Sequence, residues 1–485
     1  MKTSTRALLE KRYQMESEFH ELMTSRQVSR RDILKIFAWS ATVFGVAGPS
    51  MLMRPYTAEA GKAAKPVRAP SAQGDIVLTY ADITGPEHDY RRVFATDYLA
   101  EHPEIKDILF DTVPYNDGLE KQLMTVSGKT GAYDIMWTDE PWIPALADAG
   151  YIFPVQERFQ VPDDFNWDDF HPGTMDAAMW QGALYGIPNQ ANTLGMAYRK
   201  DLYDKLGLTY PKAGYTWDDF EAACKAVKAM GEKNLYGFTS WHQRGDLNTA
   251  DYMCLHHSWV PYPANQFWNP ETWEPQMNSA DGVEALEYYI YLMDEYMPPG
   301  ATDVEWTAMI TAMQQGTVGH MINWTASFAP LENADVSKIV GVAGHTTPPA
   351  GKKGQTASHR GVWVLTIPSD TKNPEVAWDF AVYQSTKESF KKYAMMGGFA
   401  PRLSLFEDPE INAKYPYTSV QKENYDAIAV AHAGRPHLPE YSELMEVVNR
   451  NLSRAEAKEL TPKQALDAMV KESGDLLKGL GYWKG

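Results

Sequence analysis

Asp75-Ile76-Val77-Leu78-Thr79-Tyr80 opens an alternation that decides the fold. The run 76–80 is apolar and β-branched and reads as a strand; 90–102 then reads as a helix, ended by Pro103. A second strand follows at 108–113, a helix at 116–126, a third strand at 133–137, and a short helix at 141–149 stopped by Gly150. Short strands alternating with longer helices are βα crossover units, which build parallel sheets with helices on both faces. The expected class is α/β, doubly wound and mostly parallel.

The same grammar continues toward the C-terminus. Residues 194–198 and 236–238 are extended, and Thr216 caps a helix with Asp219 three residues on. Ser279 opens a helix carrying Val283, Leu286 and Ile290. Trp306, Met309, Ile310 and Met313 recur at helical spacing until Gly316 stops them. Strands are expected at 318–323 and 361–367, and Asn373-Pro374-Glu375 reads as an N-cap with proline at the first helical position. Thr461-Pro462-Lys463-Gln464 is a capping box before the apolar face Leu466, Met469, Val470. The Pro-rich stretch 259–275, with Trp259, Trp268 and Trp273, reads either as a lid or as a small satellite core.

Toward the N-terminus, Ser29-Arg30-Arg31-Asp32-Ile33-Leu34-Lys35 leads into an apolar stretch at 36–48 and then Ala58-Glu59-Ala60. Paired arginines, a modest apolar region and a small-x-small site make a twin-arginine export signal over 1–60. Its apolar helix would reach about 20 Å, short of the ~30 Å hydrocarbon core. Residues 61–74 are expected to be a disordered leash, and the mature chain to work in the periplasm. Removing the 9 basic and 6 acidic residues of 1–60 from the totals of 45 and 63 leaves 36 against 57, a formal −21. So acidic a body argues against nucleic acid and anionic lipid as partners, because both demand basic patches.

Few motifs here carry chemistry. Gly128-Lys129-Thr130 lacks the glycine five residues earlier that a phosphate loop needs, Leu123 standing there instead, and no Gly-x-Ser-x-Gly elbow occurs. Asp139-Glu140 could serve as a glycosidase acid and base, but any two carboxylates could be so nominated. Cys224 lies on the stripe Phe220, Ala223, Val227 and reads as core; an oxidising compartment would permit a disulfide with Cys254. His256-His257 diverge by about 100° on a helix, so neither a shared metal nor any cofactor is expected. Aromatic residues are plentiful, 15 Trp and 27 Tyr, and such rings pack against the C–H faces of sugars.

Several segments together resemble one family, the extracellular solute-binding proteins of bacterial sugar ABC importers related to maltose-binding protein. The likeness is carried by Glu101-His102-Pro103-Glu104-Ile105 with Val113-Pro114-Tyr115, and by Gly131-Ala132-Tyr133-Asp134-Ile135 with Trp142-Ile143-Pro144-Ala145-Leu146-Ala147-Asp148-Ala149-Gly150. Gly182-Ala183-Leu184-Tyr185-Gly186-Ile187-Pro188 and Tyr198-Arg199-Lys200-Asp201-Leu202-Tyr203 extend it, as do Gln315-Gly316-Thr317-Val318-Gly319-His320-Met321 and Gly397-Gly398-Phe399-Ala400-Pro401-Arg402. The resemblance implies two α/β lobes, 75–190 with 350–402 and 191–349 with 403–485, joined by crossings near 189–193, 344–349 and 401–405. It implies a monomer that binds a sugar, polyol or derivative without altering it and delivers it to permease subunits. A glycoside-processing enzyme and a ligand-presenting sensor of the same fold are the alternatives.

In hinged α/β proteins ligands sit beyond strand carboxyl ends and between lobes. That rule nominates Tyr80, Asp82, Tyr115, Asp139, Glu140, Asn189 and Gln190 on the first lobe, and Trp241, Asn323 and Trp324 on the second. Arg360, Gly361 and Trp363 replace the family's frequent Gly-Gly-Trp, adding a cation beside one surviving glycine. Arg402 completes the set; with Arg360 it leaves room for a ligand carboxylate or phosphate.

Overall fold

The computed structural model describes residues 75–485 apart from Pro86, Glu87 and Ala213. The expected export signal over 1–60 and the expected linker over 61–74 lie outside the described residues. The described residues form ten strands: β1 Ile76–Ile83, β2 Ile105–Val113, β3 Ile135–Asp139, β4 Met179–Trp180, β5 Ala183–Leu184, β6 Ile187–Arg199, β7 Tyr236–Thr239, β8 Val318–Trp324, β9 Ala343–Thr346 and β10 Arg360–Thr366. β4 and β5 are a separate hairpin; the others form a sheet in the order β2-β1-β3-β10-β6-β8-β7, with β9 also on β6.

The sheet is parallel at its two ends and antiparallel through its middle. β1 pairs with β2 and β3 in parallel, and β7 with β8. β10 runs antiparallel to β3 and β6, and β6 antiparallel to β8 and β9. β6 causes the mixture. Thirteen residues at about 3.3 Å each reach roughly 40 Å, enough to serve two sheets. Its first half zips to β10, Arg360 facing Thr193, and its second half to β8, Leu194 facing Trp324. After β9 the chain leaves the second half-sheet and rejoins the first at Arg360.

Two helices open on the capping boxes that the sequence provides. Thr216 and Thr461 each make the expected capping box, opening Trp217–Ala229 and Pro462–Leu480. Asn373 differs: the helix starts at Pro374 as expected, but the Asn373 side chain makes no cap. It donates instead to Asp134 Oδ1 at 3.1 Å, and Asp134 also accepts from the Thr79 amide in β1, so an inter-element tie replaces the cap. The three tryptophans of 259–275 pack against the core, although residues between them are exposed. Trp259 packs on Tyr288 with ring centres 4.7 Å apart, Trp273 lies 5.5 Å from Tyr482, and Trp268 is buried on Phe267.

Cys224 and Cys254 are both buried and free. Cys224 Sγ lies 3.7 Å from His320 Nδ1, and Cys254 Sγ donates to the Ala357 carbonyl at 3.2 Å, so each thiol has its own polar neighbour. Among the described residues no helix is long and apolar enough to cross a membrane.

Candidate functional site

Where the two half-sheets meet, strand ends bring charged and aromatic side chains together. Asp139 ends β3 and faces Trp363 of β10 in register. Its Oδ1 accepts the Glu140 amide at 2.9 Å and so caps the turn Glu140–Trp142, which places two carboxylates side by side. Tyr115 Oη donates to Asp139 Oδ2 at 2.9 Å. Arg435 then forks onto Asp139, Nη1 to Oδ2 at 2.7 Å and Nη2 to Oδ1 at 2.8 Å, and its Nη2 lies 3.6 Å from Glu140 Oε1. Arg360 Nε is 2.9 Å from Glu140 Oε2, and its Nη1 contacts Asp176 Oδ2 at 3.1 Å.

An aromatic wall stands beside these charges. Trp363 stacks on Trp137 at 3.8 Å and 14°, while Trp142 and Tyr115 stand edge-on to it with centroids 5.6 and 6.0 Å away. Behind Trp137, the Arg91 guanidinium lies 3.7 Å from the ring centre, aimed by Asp82, whose Oδ1 accepts from Arg91 Nε at 2.7 Å. Trp324 ends β8 and lies against Gly361; a Cβ there would meet its ring carbons at 2.5 Å, so only glycine admits the indole.

Burial governs the electrostatics. It raises the Glu140 carboxyl pKa, with Arg360 and Arg435 opposing, and it raises that of Asp246, which accepts from Asn449 at 2.7 Å. Burial pushes His437 down to about 4, so that imidazole is neutral. Several buried atoms around the charges have no hydrogen-bond partner among the described residues: Trp324 Nε1, Trp180 Nε1, His437 Nε2 and Tyr425 Oη. Buried polar groups ordinarily find a partner, so such atoms mark positions that solvent or a polar solute fills.

Seven nominated residues come together: Tyr115, Asp139, Glu140, Trp324, Arg360, Gly361 and Trp363. Others do not join them. Tyr80 is core, stacked on Phe110 at 5.0 Å and edge-on to Phe380. Asp82 is committed to Arg91. Asn189 borders a small cavity with Tyr90, Phe94, Gln384 and Phe390, and Gln190 is buried in β6 opposite Trp363. Trp241 packs in the core cluster of Trp324 but turns its Nε1 to the Gln243 carbonyl at 3.0 Å. Asn323 Oδ1 accepts the Trp324 amide at 2.8 Å and acts locally.

Arg402 is a structural brace. It donates to the carbonyls of Phe165 at 2.7 Å, Ser385 at 2.9 Å and Asn166 at 3.1 Å, and packs on Phe165, Phe170 and Phe390. Arg402→Gln is therefore expected to cost about 2–3 kcal/mol of stability, with solute affinity changed less than about twofold. Urea unfolding and calorimetric titration of the same variant check both halves.

Strand-end reasoning missed Arg435, His437, Trp142, Trp180 and Tyr425. One signal was available: Gly434-Arg435-Pro436-His437-Leu438-Pro439 is a Gly- and Pro-rich loop carrying an arginine and a histidine.

The model of a family described as bacterial extracellular solute-binding protein matches residues 84–389. A mannitol-binding protein of Pseudomonas aeruginosa is 24% identical over 435 residues, covering 85% of this chain and 96% of its own. Among solved structures, an ABC transporter solute-binding protein of Agrobacterium radiobacter in complex with ribitol has a TM-score of 0.74 at 25% identity, covering 83% of this chain and 99% of that one. One of Agrobacterium vitis with bound D-mannitol has a TM-score of 0.73 at 24% identity, covering 84% and 99%. The fold shared with them is the two-lobed α/β fold of solute-binding proteins.

Proposed function

The chain belongs to the family of bacterial extracellular solute-binding proteins, and from that premise we propose that it captures a sugar or sugar alcohol between two closing lobes and delivers it, unaltered, to the permease of an ABC importer. The observation that carries this reading is the wall of Trp363, Tyr115, Trp142 and Trp324 beside buried carboxylates and unpartnered N–H and O–H groups. Rings pack on C–H faces, and polar atoms pair with hydroxyls, rejecting ligands that leave them unsatisfied. The mannitol and ribitol named for its relatives are ligands of that kind. Binding without turnover also suits Asp139, both of whose oxygens are occupied by donors.

The lobes divide as 75–190 with 350–402 and 191–349 with 403–485. A solute touching both only in the closed form shifts the population toward closure, and the closed form docks on the permease. The family's location is outside the cytoplasm; the twin-arginine signal would deliver the chain there folded. A ligand at 100 times its dissociation constant is expected to add about 2.7 kcal/mol of stability, with a change in tryptophan fluorescence on closure. A thermal-shift screen of sugars and alditols tests this, and no stabilisation by any of them would sink the reading.

A further inference from the structure

Both guanidiniums of the cleft are already matched. Arg435, with 1% of its side chain exposed, forks onto Asp139, 3% exposed. Arg360 lies between Glu140 and the rim carboxylate Asp176. Asp246 adds a further acid, itself bonded to Asn449. Facing these two cations and four acids, His437 and His359 are kept uncharged by burial. What is left over for a ligand is mainly neutral, the indole N–H groups of Trp180 and Trp324, imidazole nitrogens of His437 and His359 and the Tyr425 phenol, with Arg435 Nε a charged donor that the fork does not engage.

We propose that the Arg435–Asp139 fork is a charge filter, which makes the cleft take uncharged polyhydroxy ligands and exclude those bearing a carboxylate or phosphate. The inference rests on the solute-binding reading above. An anionic group entering the cleft has to compete with Asp139 for Arg435, or lie in a poorly screened site where four carboxylates outnumber two guanidiniums. A neutral hydroxyl meets no such penalty and pairs with the unpartnered groups. Asp139 thus acts on specificity by neutralising Arg435 as well as by lining the site. The acidic ligands that Arg360 and Arg402 suggest in the sequence lose their receptor cations, since Arg360 is paired and Arg402 is bonded elsewhere.

Calorimetric titration of the full chain with matched probes tests the filter: D-mannitol against mannonate and mannitol 1-phosphate, ribitol against ribonate, maltose against maltobionate. The neutral member of whichever series binds is expected to bind at least 30-fold more tightly than its acidic counterparts. Asp139→Asn keeps the shape but frees the Arg435 charge, and is expected to narrow that ratio at least tenfold. Equal binding of neutral and acidic members by the unaltered chain overturns the filter whether or not the variant folds. So does an unmoved ratio in a variant whose circular dichroism shows it folded at the titration temperature. Silence of every probe overturns the solute-binding reading and this inference together, whereas binding without discrimination removes the filter alone.

Discussion

Arg435→Met is expected to lower the unfolding free energy by about 3–5 kcal/mol, because it leaves a buried carboxylate without its counter-charge. Asp139 keeps donors from Tyr115 and the Glu140 amide, but these hydrogen bonds carry no net positive charge. Glu140 loses its second guanidinium as well, since Arg435 Nη2 lies 3.6 Å from it. The paired variant Arg435→Met/Asp139→Leu is expected to recover most of the loss, as apolar replacement of a whole buried pair is often near neutral. Urea unfolding followed by far-UV circular dichroism, arranged as a double-mutant cycle, reads the coupling directly. A loss below about 1 kcal/mol in the single variant would mean that water reaches the pair, since exposed ion pairs contribute only that much.

Arg435 also shows why the site was only partly legible in the sequence. Its partner Asp139 lies 296 residues away, and no local pattern records a pairing of that span. Strand ends are local, by contrast, and the rule that ligands sit beyond them nominates Asp139, Glu140 and Trp324, which the fold brings together, while Arg360, Gly361 and Trp363 come from the family resemblance. The rule fixes a position along the strand and not the face a side chain takes. Tyr80 points inward between Phe110 and Phe380, and Asp82 is captured by Arg91 from the following helix. Arg402 was expected to meet ligand, yet it satisfies three carbonyls of its own surroundings.

The fold was more legible because its signals are local. β-Branched runs, capping boxes at Thr216 and Thr461, and the glycine stop at Gly316 each specify an element from within it. The antiparallel centre was not, because strand direction depends on which strand the chain finds as its neighbour. β10 looks like other short apolar runs and only 194–198 of the thirteen-residue β6 reads as extended, but Val362 pairs with Ala191, far back in the sequence. The departure from Gly-Gly-Trp becomes intelligible only in three dimensions. Gly361 survives because the Trp324 ring occupies the place of a side chain, and Arg360 is tolerated because Glu140 and Asp176 receive it.

Trp363→Ala is expected to cost about 3–5 kcal/mol in stability and to weaken binding of a sugar or alditol at least tenfold. The indole is 8% exposed and forms the front of a column in which Trp137 and then the Arg91 guanidinium follow. Truncation leaves one face of Trp137 without its 3.8 Å partner and removes the ring against which Trp142 and Tyr115 stand. Trp363→Phe keeps a smaller face and is expected to lose only about half as much. The stacked pair itself contributes about 0.5–1.5 kcal/mol beyond area, so a cycle with Trp137→Leu should return a coupling in that range. Near-UV circular dichroism reports the loss of the parallel indoles independently of stability. If Trp363→Ala unfolds at a lower urea concentration but binds as tightly as the unaltered chain, Trp363 supports the cleft without lining it. Tyr115 and Trp142 would then hold the ligand-facing surface, and the aromatic wall would lie one ring nearer the helix Tyr115–Ser127.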